Sequence, residues 1–206
     1  MVAILDYAMG NLGAHINMMR KIGFSDVVVT SSASELEKAE KIIIPGVGAF
    51  DAGMNNLRKM EIIDILNFKA LEERIPVLGI CLGMHLFAAG SEEGKEKGLG
   101  WIDTMVKKFD PTVTEPPLKI PHMGWNTIQL KKESFLFNGM ENEENRFYFV
   151  HSFHFTDDKK IFTIATSNYG YDFPAVIQKE NIFGAQFHPE KSHKFGINFY
   201  RNFINY

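Results

Sequence analysis

The sequence predicts an α/β fold with an open mixed sheet: parallel strands flanked by helices, plus added antiparallel strands. Short continuous apolar runs occur at "VAIL" (2–5), "VVV" (27–29), "IIIPG" (42–46) and "PVLGIC" (76–81). Such runs are typical of strands buried on both faces. Helical patterns lie between them, and this alternation indicates a parallel sheet.

The helical segments are predicted from apolar spacing and from their ends. A helix over 11–22 carries its apolar residues near one face and stops at Gly23. Ser32 and Ser34 each precede a glutamate by three residues, the spacing of a capping box. Further helices are predicted over 54–71 and 195–204.

After residue 90 the chain becomes β-rich. Segments such as "IPHMGWNTIQL", "RFYFVHSFHF" and "IFTIATSNY" follow one another with short turns. We expect them to extend the first sheet or to lie alongside it. No linker composition separates the two halves, so residues 1–206 are expected to form a single domain.

Composition excludes several classes of protein. The formal net charge of −3 provides no positive field for nucleic acid or anionic membranes. No apolar run approaches the roughly 18 residues that a membrane span needs. The single cysteine forms no internal disulfide, and Asp6 interrupts any signal-peptide pattern. These features predict a cytoplasmic protein.

The single cysteine, Cys81, lies in "GICLGMHLF" (79–87), between a predicted strand and a predicted helix over "LGMHLFAAG". Gly79 and Gly83 complete the G-x-C-x-G spacing of a nucleophile elbow, in which a sharp backbone bend exposes the nucleophile. The N-terminus of the helix favours a thiolate. A buried structural cysteine is the alternative interpretation of an isolated cysteine in an apolar stretch.

A thiolate nucleophile needs a base and a group that orients it. His188 ends a predicted strand in "GAQFHPEKS", and Glu190 follows two residues later. On an extended segment both side chains face the same way, so Glu190 is positioned to fix the imidazole tautomer. Alone, most such triplets are surface turns; together with the elbow they predict a catalytic triad of Cys81, His188 and Glu190.

A glycine-rich loop follows the third strand at "PGVGAF" (45–50). Gly46 and Gly48 allow its backbone to turn and to present N–H groups to an anion. Amides around Gly46 and Val47, with that of Leu82, predict a two-donor oxyanion hole, worth on the order of 3 kcal/mol per donor. A simple tight turn or part of a phosphate cradle is the alternative.

These motifs are similar to those of a known family. "DYAMGN", "PGVGAF", "GICLGMHLF", "SEEG", "PHMGWN", "YFVHSF" and "GAQFHPEKS" span nearly the whole chain. The chain resembles the triad-type glutamine amidotransferases and, within them, the glutaminase subunits of imidazole glycerol phosphate synthase. The resemblance implies hydrolysis of L-glutamine through a thioester on Cys81. It also implies a heterodimer with a (β/α)8 barrel cyclase that uses the ammonia to make imidazole glycerol phosphate and AICAR.

The resemblance also implies site residues, and it implies no metal and no cofactor. The implied glutamine-binding residues are Gly48, His85, Glu93, His151 and Ser152, and the implied partner interface comprises Asn11, Met123, Trp125 and Lys191. His151 and His154 are not expected to form a metal pair, because residues three apart on a strand lie on opposite faces.

Two departures from the family keep alternatives open. His85 stands where the family usually has glutamine, and Ala8 where it commonly has glycine. A histidine in contact with substrate would titrate in the assay range. One alternative is a paralogous glutaminase that feeds a sugar-amidating synthase. The others are a stand-alone cysteine hydrolase and a non-catalytic protein that binds flavin or phosphate at its strand ends.

Overall fold

An eight-stranded mixed sheet organises the computed structural model, which describes residues 1–140 and 144–206. The first four strands lie in the first half of the chain, and all of them run parallel. They are β1 (Val2–Leu5), β2 (Val27–Thr30), β3 (Lys41–Ile44) and β4 (Val77–Ile80). These bounds confirm the four strands predicted from the apolar runs.

The second half of the chain supplies the remaining strands. They are β5 (Gly90–Ser91), β6 (Met105–Lys108), β7 (His122–Thr127), β8 (Gln129–Leu130), β9 (Arg146–His151), β10 (Phe153–Phe155), β11 (Thr163–Tyr169), β12 (Tyr171–Lys179) and β13 (Ile182–Ala185). The main sheet has the order β2-β1-β3-β4-β13-β12-β11-β8, and smaller sheets pair β10-β6-β5 and β7-β9. Antiparallel strands therefore both extend the first sheet and lie beside it, as the β-rich second half predicts.

Strand β13 occupies a special place because it is parallel to β4 but antiparallel to β12. It joins the parallel half of the sheet to the antiparallel half. Ala185 at its end pairs with Ile80 at the end of β4. The residues that follow these two strands, Cys81 and Gln186, therefore leave the sheet at the same edge.

The helices lie on both sides of the main sheet. They are α1 (Leu12–Lys21), α2 (Ala33–Leu36), α3 (Phe50–Lys59), α4 (Ile63–Asn67), α5 (Leu82–His85) and α6 (His193–Asn205). A π-helix covers Phe68–Glu72, and 3₁₀ turns cover Pro111–Val113, Phe135–Phe137 and Pro189–Lys191. Within the described ranges, no helix combines the length and apolar character needed to cross a membrane.

Several local predictions need correction. The single helix predicted over 54–71 is broken at Glu61, whose φ of 56° lies in the left-handed region. The Ser32 side chain contacts the Ser34 hydroxyl and does not cap α2, so the capping box is absent there. Strand β2 is at the sheet edge and its valines are only half-buried, because a neighbouring strand lies on one side only.

The core is divided by the main sheet into two apolar layers. Successive residues of the buried strands alternate between the layers, as the two-residue period of a strand requires. One layer contains Ala3, Leu5, Ile42, Ile44 and Val77, and the other contains Val2, Ile4, Ile43, Leu78 and Ile80. Burial on both faces explains why these strands are continuous apolar runs in the sequence.

Close backbone packing fixes the start of α5 against the end of β3. A Cβ added to Gly83 would lie 1.8 Å from the Ile44 carbonyl oxygen. Relieving such a contact requires the backbone of β3 or α5 to shift, since the clash is with main chain and not with a flexible side chain. Glycine is therefore required at this position for a steric reason.

We predict that Gly83→Ala destabilises the protein by about 3 kcal/mol or more, because the added methyl group overpacks the β3–α5 contact. Gly13→Ala is the matched control: Gly13 lies inside α1, and its added Cβ meets only the Asn11 side chain at 3.6 Å. That substitution should raise stability by up to about 1 kcal/mol through helix propensity. Urea unfolding measures both, and equal effects would contradict the packing argument.

Candidate active site

Cys81 lies at a sharp bend between β4 and α5. Its φ of 52° and ψ of −108° place it in a region that non-glycine residues seldom adopt. Cys81 is 6% exposed, and its N–H donates to the Ala185 carbonyl at 2.7 Å. A Cβ on Gly79 would lie 2.6 Å from the backbone nitrogen of Met84 in α5, so a glycine is needed at position 79 to let α5 pack against β4. The bend expected of a nucleophile elbow is therefore present.

The helix after Cys81 is shorter than predicted. Only Leu82–His85 is α-helical, because the chain then turns so that Gly90–Ser91 can pair with β6. A single turn carries a weaker dipole than a full helix, so the local N–H groups count for more than the macrodipole.

His188 and Glu190 form a buried pair. The His188 Nδ1 lies 2.7 Å from Glu190 Oε1, and each side chain is 2% exposed. The contact is the predicted one, but its cause differs: residues Pro189–Lys191 form a 3₁₀ turn and not an extended segment. Ser192, which sequence reasoning missed, donates its hydroxyl to the His188 carbonyl at 2.6 Å and holds this turn.

The environment favours an ion pair within this group. Burial lowers the pKa of His188, but the charge of Cys81 and the hydrogen bond and charge of Glu190 outweigh it and raise the pKa to about 10. Burial raises the pKa of Glu190, but the hydrogen bond and charge of His188 lower it by more, so the net shift is downward. Among the described residues, His188 Nε2 has no hydrogen-bond partner although it is buried. This nitrogen is therefore free to exchange a proton.

The expected two-donor oxyanion hole is not assembled in this conformation. The Leu82 N–H donates to the Gly46 carbonyl at 3.3 Å, so one predicted donor is already occupied. Because a trans peptide points its N–H opposite to its carbonyl, the Val47 N–H faces away from Leu82. The prediction of two free donors is therefore wrong for this structure, and rotation of the Gly46–Val47 peptide would be needed to supply them.

Gly48 and Glu93 lie together near the start of α3. Gly48 has a φ of 117°, which explains the glycine there. The Glu93 carboxylate accepts the Phe50 N–H at 2.9 Å and so caps α3. Desolvation raises the pKa of Glu93 above its ordinary value.

His85 is buried and does not behave as predicted. Its Nε2 lies 2.8 Å from Gln186 Oε1, and burial lowers its pKa to about 4. The expectation that this histidine titrates in the assay range is therefore wrong. Sequence reasoning also missed Gln186, although its place two residues before His188 on an extended run was a usable signal.

His151 belongs to a chain of buried polar groups. Its Nδ1 donates to the Phe153 carbonyl at 2.8 Å, so its Nε2 accepts from His122 Nδ1 at 3.0 Å. Asn126 in turn donates to His122 Nε2 at 3.1 Å. The neighbouring Ser152 is half-buried, and its carbonyl accepts the Phe109 N–H at 3.0 Å.

His151 and His154 do not lie on opposite faces, contrary to the prediction. Both rings contact Phe109, at centroid distances of 5.2 and 4.6 Å, because the strand is interrupted at Ser152 between β9 and β10. In residues 1–140 and 144–206, no group of three or more histidine, cysteine, aspartate or glutamate side chains is arranged to hold a metal ion.

The predicted interface residues lie at the surface. Met123 is 65% and Trp125 45% exposed, and Trp125 stacks on His193 at 5.4 Å. Lys191 lies 5.6 Å above the Tyr148 ring, whose edge also meets Trp125. Asn11 is exposed and caps α1, which packs against the Pro189–Lys191 turn.

The fold and site together define a class of protein. A thiol, an imidazole and a carboxylate at the edge of a parallel sheet are the arrangement of triad-type enzymes that hydrolyse amides through a cysteine. The glutamine amidotransferase class-I family matches residues 3–205. The chain belongs to this family and, within it, to the family of imidazole glycerol phosphate synthase subunit HisH proteins.

The relatives are similar over their full length. The Methanococcus maripaludis "Imidazole glycerol phosphate synthase subunit HisH 2" is 48% identical over 99% of this chain and 98% of its own. The Leptospira borgpetersenii "Imidazole glycerol phosphate synthase subunit HisH" is 45% identical over all of both chains. The alternatives of a stand-alone hydrolase and a flavin- or phosphate-binding protein gain no support from these relatives.

Solved structures support the fold. A structure described as "Crystal structure of glutamine amidotransferase" has a TM-score of 0.74 at 19% identity, over 99% of this chain and 97% of its own. A chain of "Structure of PurLQS from Thermotoga maritima" has a TM-score of 0.73 at 17% identity, over 100% and 97%. These similarities confirm the predicted α/β fold.

The buried histidines predict a loss of stability in mild acid. Burial lowers the pKa of His15 and of His85 to about 4, below their ordinary 6.5. Between these pH values the unfolded chain binds more protons, so stability falls as pH falls. Each should contribute a loss on the order of 2 kcal/mol between pH 7 and pH 5. The raised pKa of His188 opposes this by less than about 1 kcal/mol over the same range.

Urea unfolding at pH 7 and pH 5 measures this loss, with His85→Gln as the comparison. That variant removes one titrating group and should lose about 2 kcal/mol less than the wild type over the range. An identical loss in both proteins would show that His85 is protonated in the folded state.

Proposed function

We propose that this chain is a glutaminase that hydrolyses L-glutamine to glutamate and ammonia, with Cys81 as nucleophile, His188 as acid and base, and Glu190 as the orienting group. The observation that carries this proposal is the buried His188–Glu190 pair. Glu190 occupies Nδ1 of the His188 imidazole, and Nε2 has no partner among the described residues. The charge of Cys81 raises the pKa of the same imidazole. A buried histidine–glutamate pair can form without a cysteine nearby. A cysteine nucleophile, however, needs both a base and a group that orients the base, and His188 and Glu190 supply these two functions.

The proposed reaction has two halves. The Cys81 sulfur attacks the side-chain amide carbon of glutamine, and the imidazolium of His188 donates its proton to the departing ammonia. The resulting thioester is attacked by water: one proton of the water passes to His188, the sulfur leaves as thiolate, and the second proton is lost to solvent as the glutamate side chain ionises to carboxylate. Glu190 holds the tautomer and compensates the imidazolium charge throughout. No step requires a metal or an organic cofactor.

The tetrahedral intermediates need donors for their negative oxygen. We assign these donors to the N–H groups of Leu82 and Val47. The Leu82 N–H bonds the Gly46 carbonyl, and the Val47 N–H belongs to the same peptide unit as that carbonyl. Turning the Gly46–Val47 peptide would free the first donor and redirect the second. Because Leu82 N–H is engaged at 3.3 Å, the chain alone is expected to be a poor enzyme.

The glutamine itself is proposed to bind beside Cys81, among Gly48, Glu93, His151 and Ser152. The glycine-rich loop and Glu93 lie together at the start of α3, and the Val150 carbonyl before His151 lies 4.0 Å from the Cys81 sulfur. Of the residues predicted to contact glutamine, His85 is instead separated from Cys81 by Gln186.

The ammonia is proposed to pass to a (β/α)8 barrel cyclase that forms imidazole glycerol phosphate and AICAR in histidine biosynthesis. The relatives' names support this partner, and the exposed Met123, Trp125, Lys191 and Asn11 are the proposed contact surface of the heterodimer. We further propose that residues 1–206 act as one domain and that the protein works in the cytoplasm.

Cys81→Ala tests the nucleophile. It should abolish glutamine hydrolysis in the complex but leave synthesis from added ammonium salts near the wild-type rate, because the barrel chemistry is separate. Coupled assays with glutamine and with ammonium as nitrogen source measure the two activities, and thermal unfolding checks that the fold is intact. Glutamine turnover at a near wild-type rate would rule out Cys81.

Addition of the cyclase tests the partner. The isolated chain should hydrolyse glutamine slowly, and the cyclase with its acceptor bound should raise kcat by about 100-fold or more, as expected when a missing oxyanion donor is restored. Glutamate release is the measurement. Full activity without a partner would favour a stand-alone hydrolase, and ammonia consumed only by an amidating synthase would favour the paralogue.

A further inference from the structure

We propose that His85 and Gln186 are positioning residues that together hold an amide N–H against the sulfur of Cys81. The three side chains form a buried row. Gln186 Nε2 lies 3.9 Å from the Cys81 Sγ, and Gln186 Oε1 lies 2.8 Å from His85 Nε2. Gln186 is fully buried, and His85 is 5% exposed. The inference rests on the proposed role of Cys81 as nucleophile.

The backbone delivers Gln186 to this place. Cys81 donates its N–H to the carbonyl of Ala185, the residue before Gln186, at 2.7 Å, and the Gln186 N–H is anchored on the Ala175 carbonyl at 2.9 Å. The side chain therefore starts from the strand next to the nucleophile. The orientation of the Gln186 amide then depends on the groups that contact its oxygen and its nitrogen, which are His85 and Cys81.

The orientation of the Gln186 amide is matched by one tautomer of the His85 imidazole. A neutral histidine has one N–H donor, and burial keeps His85 neutral by lowering its pKa. An amide oxygen only accepts, so the His85 Nε2 that lies beside Gln186 Oε1 carries the proton. The opposite end of the amide, with its two N–H groups, faces the sulfur. The reverse orientation would place a second carbonyl oxygen, in addition to that of Val150 at 4.0 Å, against the sulfur.

A donor at the sulfur has a defined use. It stabilises the thiolate before attack and again when the thioester breaks and negative charge returns to sulfur. The contact of Gln186 with the sulfur and the contact of His85 with Gln186 both lie within the protein and do not involve the substrate. The residue at position 85 acts by giving an N–H to Gln186, which glutamine and histidine can both do. This accounts for the histidine here in place of the glutamine usual in the resembling family.

The test compares two substitutions of similar size at position 85. His85→Met has no donor, whereas His85→Gln keeps one. We expect His85→Met and Gln186→Met each to slow alkylation of Cys81 by iodoacetamide about tenfold, the effect of one hydrogen bond to a charged group. Because the two residues act as one unit, the double variant should be no slower than either single variant. His85→Gln, which keeps the donor, should be alkylated at a rate within about twofold of the wild type.

Alkylation is measured on the isolated chain, and glutamine kinetics on the complex with the cyclase. We expect kcat to fall with the alkylation rate while KM stays within about twofold, since no substrate contact is lost. Gln178→Met is the control and should change neither rate, because the amide it removes bonds, within the described part of the chain, only the Glu180 carbonyl. Thermal unfolding confirms that each variant is folded.

Three results would overturn the proposal. An unchanged alkylation rate in Gln186→Met would show that the amide does not act on the sulfur. Equal losses of alkylation rate in His85→Gln and His85→Met would show that the shape of the histidine side chain, and not its N–H donor to Gln186, is what matters. A raised KM with unchanged kcat would make His85 a substrate contact. If the wild-type complex fails to hydrolyse glutamine, the proposed function is wrong, while alkylation still decides the inference.

Discussion

The candidate site depends on the parallel pairing of β13 with β4. This pairing sets Ala185 beside Ile80, so that Cys81 beyond β4, and Gln186 and His188 beyond β13, leave the sheet at one edge. The residues that approach the sulfur are therefore held by main-chain hydrogen bonds and not by loops. Without that register, Cys81 would be an ordinary buried thiol in an apolar strand–helix turn.

The two requirements of the proposed chemistry are met to different degrees. The groups proposed to act on the sulfur are in place: the His188 imidazole is oriented by Glu190, and the Gln186 amide nitrogen lies 3.9 Å from the sulfur. The donors for an oxyanion are not, because one carbonyl, that of Gly46, occupies the Leu82 N–H. The orientation of a single peptide unit, Gly46–Val47, thus separates the observed arrangement from the proposed pair of oxyanion donors.

Local patterns in the sequence predicted the strands, the bend at Cys81 and the His188–Glu190 pair, because each depends on neighbours in the chain. Other features depend on contacts between distant segments. The Leu82–Gly46 bond and the Gln186 amide are set by how β3, β4 and β13 pack, and the low pKa of His85 follows from burial that its helical position alone does not reveal. Strand alternation failed at His151 and His154 because one residue, Ser152, interrupts the strand.

The position of β13 in the sheet also bears on how the chain folds. Its parallel partner β4 ends about a hundred residues earlier in the chain, and its other neighbour, β12, directly precedes it. Closing a loop of this length is entropically unfavourable, so the pairing of β13 with β4 depends on the contacts that the intervening chain makes in the folded state. The Cys81 thiol lies near the His188 imidazole only when this pairing is formed. A partly unfolded chain that has lost the pairing therefore has a cysteine without its proposed base.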